Sequence, residues 1–152
     1  MPAADLEPPT ELRLTAAQRA LIIEHCVVGY PDEACGLLSG PLHNGHGTGL
    51  ITGVHPARNA DASARSYTVD SRDLLTAMRA ADAASGDLVG VWHSHTHTEP
   101  YPSTTDIRQA FEPSWLYVLV GLAAAAPVVR AYRILGGVVH EVPVVLDEGV
   151  NA

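Results

Sequence analysis

The sequence predicts one domain of mixed α and β structure, an α/β or α+β sandwich in which a central mixed sheet is flanked by helices. Two segments carry apolar residues at helical spacing, and several short apolar runs stop on turn residues, as strands do. The chain has 152 residues, which suits one domain, and its 47% apolar content can fill a core without disulfide or metal staples. No internal repeat and no linker divides it.

Residues 1–11, with Pro2, Pro8 and Pro9, read as a flexible tail, and so do residues 147–152, leaving 12–146 as the folded domain. Thr15 with Gln18 matches a capping box and opens a helix. Its stripe of Leu14, Ala17, Leu21 and Val28 ends near Gly29 and Pro31. Residues 35–39 are short and apolar, stopped by Gly40-Pro41, and read as a strand; residues 42–49, rich in Gly, His and Asn, read as a turn. Residues 50–55 and 67–70 look like further strands. A second helix is expected from about Ser71 to Ala84, with Leu74, Leu75 and Met78 inward and Gly86 as its stop. Residues 88–92 form a compact apolar run, expected to be a buried central strand. Two prolines keep residues 96–103 irregular, after which Ser103 can cap a short helix over 104–110. Strands over 115–121, 128–135 and 138–145 complete the sheet.

Composition narrows the function. All nine basic residues are arginine against 17 acidic ones, a formal net charge of −8. That balance argues against a nucleic-acid binder, which needs clustered basic residues, and against adhesion to anionic membranes. No apolar run approaches the ~20 residues needed to cross a bilayer. The N-terminus lacks the pattern of a signal peptide, so a cytoplasmic location is expected. Cys26 and Cys35 do not make a disulfide framework.

The chemistry gathers after the central strand. His93 and His95 alternate along it, so both imidazoles point to one side. Zinc favours imidazole nitrogen, and catalytic sites usually supply three protein ligands. Asp106, on the first turn of the following helix, can fold back as the third. Zinc acidifies water towards pKa ~7, and a nearby carboxylate must still take the proton. Glu33, just before the strand that begins at Cys35, is the candidate, with Ser103 as hydrogen-bond donor to the developing oxyanion.

Plainer readings compete. Ser103-x-x-Asp106 is also an ordinary capping box, and a carboxylate on zinc is less free to reach back to a cap. Two histidines at this spacing are not specific, and His95 with His97 makes as good a pair as His93 with His95. An isolated Glu33 is usually a solvated acid. The apolar neighbours of Cys35 suggest a buried, inert thiol rather than a nucleophile. His25, His43, His46, His55 and His140 show no ligand spacing. A zinc deaminase would need His-x-Glu and a later Pro-Cys-x-x-Cys, and neither is present.

Taken together, Gly90-Val91-Trp92-His93-Ser94-His95, seven residues, then Ser103-Thr104-Thr105-Asp106 resembles the JAMM (MPN+) metalloprotease signature. Pro31-Asp32-Glu33-Ala34-Cys35-Gly36-Leu37-Leu38-Ser39-Gly40 resembles the glutamate segment of that family. Only the His93–His95 pairing leaves the required seven residues before Ser103. The resemblance, which runs from about Leu12 to Val145, implies a cytidine-deaminase-like sandwich and a resident Zn2+. It implies His93, His95 and Asp106 as zinc ligands, Glu33 as general acid/base and Ser103 as oxyanion stabiliser. It further implies cleavage after the C-terminal glycine of a ubiquitin-fold protein. Small bacterial members with this glutamate segment, the Mec-type hydrolases, release cysteine from a ubiquitin-like sulfur carrier with a Gly-Gly tail. A deubiquitinase-like isopeptidase and a non-catalytic MPN scaffold are the alternatives. One departure is Thr96, where bacterial members usually carry proline. Residues 42–49 and 97–101 are candidate walls for the carrier tail.

Overall fold

A computed structural model describes residues 9–147. Of the tails expected over 1–11 and 147–152, residues 1–8 and 148–152 lie outside the described residues. The chain begins with β1 (Leu12–Leu14), then α1 (Ala16–Gly29), β2 (Cys35–Gly40), β3 (Leu42–His43), β4 (His46–Gly47) and β5 (Gly53–Ala57). It continues through α2 (Ser71–Ala83), β6 (Asp87–His95), α3 (Thr104–Arg108), β7 (Leu116–Gly121), β8 (Val128–Leu135), β9 (Val138–Val142) and β10 (Val144–Leu146).

Six strands form one mixed sheet in the order β5-β2-β6-β7-β8-β9. β6 and β7 run parallel and every other neighbouring pair is antiparallel. Residues 88–95 of β6 are all buried, as a strand covered on both faces requires. One face packs Trp92, Leu38, Val118 and Val120 against Ile22 and Cys26 of α1. The other packs Leu37, Val91 and Tyr117 against Ala77 and Ala81 of α2. Adjacent residues such as Leu37 and Leu38 serve opposite layers because a strand alternates its side chains.

Thr15 caps α1 with both halves of a capping box, as its sequence predicts. The face is different from the expected one. Ile22 and Cys26 are buried, whereas Leu21 and Val28 are exposed, and Leu14 belongs to β1. In α2 the small residues Ala77 and Ala81 face the sheet, which lets the helix approach closely, and Leu75 and Met78 are left exposed. That helix ends in a Schellman arrangement in which Ser85, not Gly86, takes positive φ, and the Gly86 N–H bonds the Ala81 carbonyl. Residues 67–70 contribute only an isolated bridge between Asn59 and Val69, not a strand. The last expected strand is two, β9 and β10, separated by Pro143, which has no N–H for a ladder. β10 pairs in parallel with β1. The expected turn over 42–49 is the small β3–β4 hairpin, turning on Asn44 and Gly45 with positive φ. None of the described helices is long and apolar enough to cross a membrane.

Candidate metal centre

β6 delivers His93 and His95 to its C-terminal end on one face, both buried. The loop that follows is pinned to the sheet. The Tyr132 hydroxyl donates to the Pro100 carbonyl, and the Pro100 ring lies so near Gly121 that a Cβ there would sit 2.8 Å from its Cδ. Within the same loop the Glu99 carbonyl lies 2.9 Å from His95 Nδ1. A carbonyl can only accept, so His95 carries a proton on Nδ1, and Nε2, which faces Asp106, is the nitrogen left to act as a ligand once its own proton is lost. The pinned loop returns the chain so that α3 starts beside the two rings.

Asp106 meets them there. Its Oδ2 lies 3.2 Å from His93 Nε2 and 3.1 Å from His95 Nε2, and the two nitrogens are 3.3 Å apart. The Ser103 backbone N–H donates to the same Oδ2 at 2.9 Å, and Ser103 Oγ accepts from the Asp106 N–H at 3.0 Å. One carboxylate oxygen thus meets both rings and the N–H of the cap residue. Burial works against charge on Asp106, but its bonds with His93 and His95 outweigh it and hold the carboxyl well below its usual range. Burial also disfavours the charged form of His95, and the bond to Asp106 and the Glu99 carbonyl reverse that. On His93 burial dominates and pulls the ring down.

These three residues form a donor set that could hold a metal ion, one ligand atom each, all within 4.8 Å of one another. Donors sharing a tetrahedral ion at ~2.0–2.1 Å stand about 3.3–3.4 Å apart, and the observed separations fall close to that edge.

Glu33 reaches the centre through strand register. β2 pairs with β6 as Cys35 opposite His93, and the antiparallel run continues through a bond from the Ser94 N–H to the Ala34 carbonyl. Two residues on, Glu33 falls opposite His95, on the face of the imidazoles. It is 7% exposed. Burial pushes its carboxyl up to about 7, opposed by His95 and assisted by the charges of Asp106 and Asp61. Glu33, His95 and Ser103 line one cleft of about 590 Å³ with Ala64, Arg65, Thr96, His97 and Thr98.

All five site residues expected from the sequence are thus together: three in contact, Glu33 and Ser103 on the cleft wall. His97 stands apart from the three; it is exposed, with Nδ1 2.8 Å from Thr96 Oγ1 and Nε2 3.3 Å from the Tyr30 hydroxyl. Cys35 is fully buried, its thiol pushed up to about 12 chiefly by burial, so it is no nucleophile at neutral pH. The β3–β4 hairpin does not wall this cleft; it lines a separate pocket with Met78 and Trp115.

Two residues went unread in the sequence. Tyr67 stacks on His93, with ring centres 4.2 Å apart at 23°. Asn59 donates to the Glu33 and Ser66 carbonyls and accepts from the N–H groups of Asp61 and Thr68. The Asn59-Ala60-Asp61 turn chemistry was a signal for the second; nothing local announced the first.

Fold and centre together define a JAB-domain protein. The family model described as prokaryotic homologs of the JAB domain matches residues 15–135, and the chain belongs to that family. It is 40% identical over 124 residues to the CysO-cysteine peptidase of Mycobacterium tuberculosis, covering 81% of this chain and 82% of that one. The desampylase of Haloferax volcanii is 32% identical over 115 residues, covering 72% and 80%. Among solved structures, a protein from Desulfitobacterium hafniense superposes with a TM-score of 0.80 at 31% identity, covering 92% of this chain and 95% of that one. A Salinibacter ruber protein gives 0.64 at 28%, covering 91% and 94%.

Proposed function

We propose that this chain is a cytoplasmic zinc metallohydrolase that cleaves the peptide bond after the C-terminal glycine of a ubiquitin-like sulfur carrier with a Gly-Gly tail, releasing cysteine. The observation that carries this is the convergence of His93, His95 and Asp106 at metal-ligand spacing, with buried Glu33 on the wall of the same cleft. Similarity to the CysO-cysteine peptidase supports the choice of substrate.

His93 Nε2, His95 Nε2 and Asp106 Oδ2 would hold the zinc. Zinc bound there supplies Lewis acidity, polarising the scissile carbonyl and easing loss of a proton from water. Glu33 takes that proton as the water oxygen bonds to the glycine carbonyl carbon. The C–N bond then breaks, and Glu33 passes the proton to the departing amine. Burial, which raises the Glu33 carboxyl from its ordinary value, suits a group that must take up a proton and return it. The Ser103 hydroxyl, while accepting from the Asp106 N–H, keeps its own proton to donate to the carbonyl oxygen. An isopeptidase acting on ubiquitin-like conjugates is the second reading, favoured by the desampylase relative.

The test is incubation of zinc-loaded protein with a carrier–cysteine adduct, followed by intact mass. Loss of one cysteine, blocked by a chelator and absent in Glu33→Ala, is the expected result. Cleavage at the normal rate by Glu33→Ala would remove that residue from the mechanism, and no cleavage of the adduct by the wild type would reject the substrate.

A further inference from the structure

We propose that Arg65 binds the free α-carboxylate of the leaving amino acid, so that the enzyme selects a C-terminal amino acid over a lysine side chain. This rests on the hydrolase reading above and names what sets its choice of leaving group.

The cleft lining holds one arginine and one carboxylate, Glu33, beside two histidines and neutral groups. The chain as a whole is acidic, at −8. A leaving amino acid carries its carboxylate one carbon from the scissile nitrogen, so that group must enter the same cleft. There it would meet Glu33 and the nearby charges of Asp106 and Asp61, which already act on Glu33. A guanidinium offers paired N–H donors matched to a carboxylate and neutralises it.

The backbone that carries Arg65 is fixed, while its side chain is exposed at the cleft. The Asn59 carboxamide closes the loop by bonding at Ser66, Thr68 and Asp61, and ties it to the Glu33 carbonyl at 2.9 Å. The Glu33 N–H bonds the Ser63 carbonyl, and Ser63 Oγ accepts from the Arg65 N–H at 3.1 Å. The residue that moves the proton and the loop that presents the cation are thus held to each other by backbone bonds. Elsewhere Arg58 is committed to Asp73 and Arg133 to the Pro113 carbonyl, whereas the Arg65 side chain has no protein acceptor among the described residues. A lysine inside a protein, linked through its side chain, brings no carboxylate to this position.

The experiment compares carrier ending in Gly-Gly-Cys as the free acid with the same carrier ending in the cysteine amide. Zinc-loaded wild type, Arg65→Ala and Arg65→Lys are assayed for kcat/KM on each. The wild type should favour the acid by about ten- to a hundredfold, the range of a charge-assisted bond. Arg65→Ala should lose that preference through a raised KM for the acid that exceeds any change on the amide by about tenfold or more, and Arg65→Lys should recover part of it. Equal use of acid and amide by the wild type, or an equal loss on both in Arg65→Ala, would overturn the carboxylate clamp and leave the hydrolase standing. Failure of the wild type on both substrates would instead reject the hydrolase reading, and the clamp with it.

Discussion

Glu33 is asked to do two things that conflict: to sit buried beside a metal centre and to ionise. In the folded, metal-free protein burial lifts its carboxyl from an ordinary 4.5 to about 7. The folded value lies above the unfolded one, so the ionised form costs stability. That cost is complete above pH 7 and gone below about 4.5, and its upper bound is about 3 kcal/mol. Glu33→Gln, which cannot ionise, is therefore expected to melt higher than wild type at pH 8 in chelator. The advantage should shrink as the pH falls from 7 towards 4.5. Paired thermal melts across that interval check the sign, and a difference that stays flat or grows on acidification would refute it. The same residue that lowers stability is the one the proposed reaction cannot lose, a trade common at active sites.

Strand β2 carries Glu33 to its place, and its register depends on Gly36. A Cβ at that position would lie 2.1 Å from Trp92 Cζ2 and 2.7 Å from the His55 carbonyl, and Trp92 is fully buried. Neither a packed indole nor the backbone of the next strand can yield cheaply. Gly36→Ala should cost about 3 kcal/mol, the upper range for overpacking, and lower the melting temperature by roughly 6–12 °C. Calorimetry would check this, and an unchanged melting temperature would mean that the β2–β6 contact is looser than described. At this scale much of the sequence was legible. The Thr15 cap, the buried run into His93 and the strand over residues 128–135 declare themselves through local chemistry and periodicity. The cluster of His93, His95 and Asp106 was legible because residues 93–106 form one continuous strand, loop and helix, although spacing left His95 with His97 as an equal pair and only the resemblance chose between them. What failed depends on distant partners. Leu12–Leu14 becomes a strand only by pairing with Val144–Leu146 at the far end of the chain. The buried faces of α1 and α2 were read only in part: Leu74 packs on the core as expected, but the residues that bury fully are Ile22, Cys26, Ala77 and Ala81, chosen by how each helix is turned against the sheet. The loop that holds Asn59 and Arg65 has no periodicity, and its shape is set by bonds to Glu33.

Across the whole molecule, the centre joins parts that otherwise touch sparingly. His93 and His95 belong to the middle strand of the six-stranded sheet, whereas Asp106 belongs to α3, a five-residue helix with no buried residue of its own. Ile107 packs part-buried against the core cluster of Leu37, Val91 and Tyr117. The rest of its attachment comes from Asp106 and from the bonds that pin the preceding loop. An ion bridging the three side chains would therefore fasten α3 to the core and bind the folded state selectively. At a free zinc concentration one hundred times Kd, such binding adds about 2.7 kcal/mol. For a domain of this size that corresponds to a rise of roughly 5–10 °C in melting temperature. His95→Ala and Asp106→Ala should abolish the rise, each removing a proposed ligand, while Glu33→Ala should retain it, because the role proposed for Glu33 is on the proton and not on the ion. Melts of all four proteins with and without zinc, backed by metal analysis, separate these roles. A zinc-dependent rise that survives Asp106→Ala, or one that vanishes in Glu33→Ala, would show that the ligand set has been assigned to the wrong carboxylate.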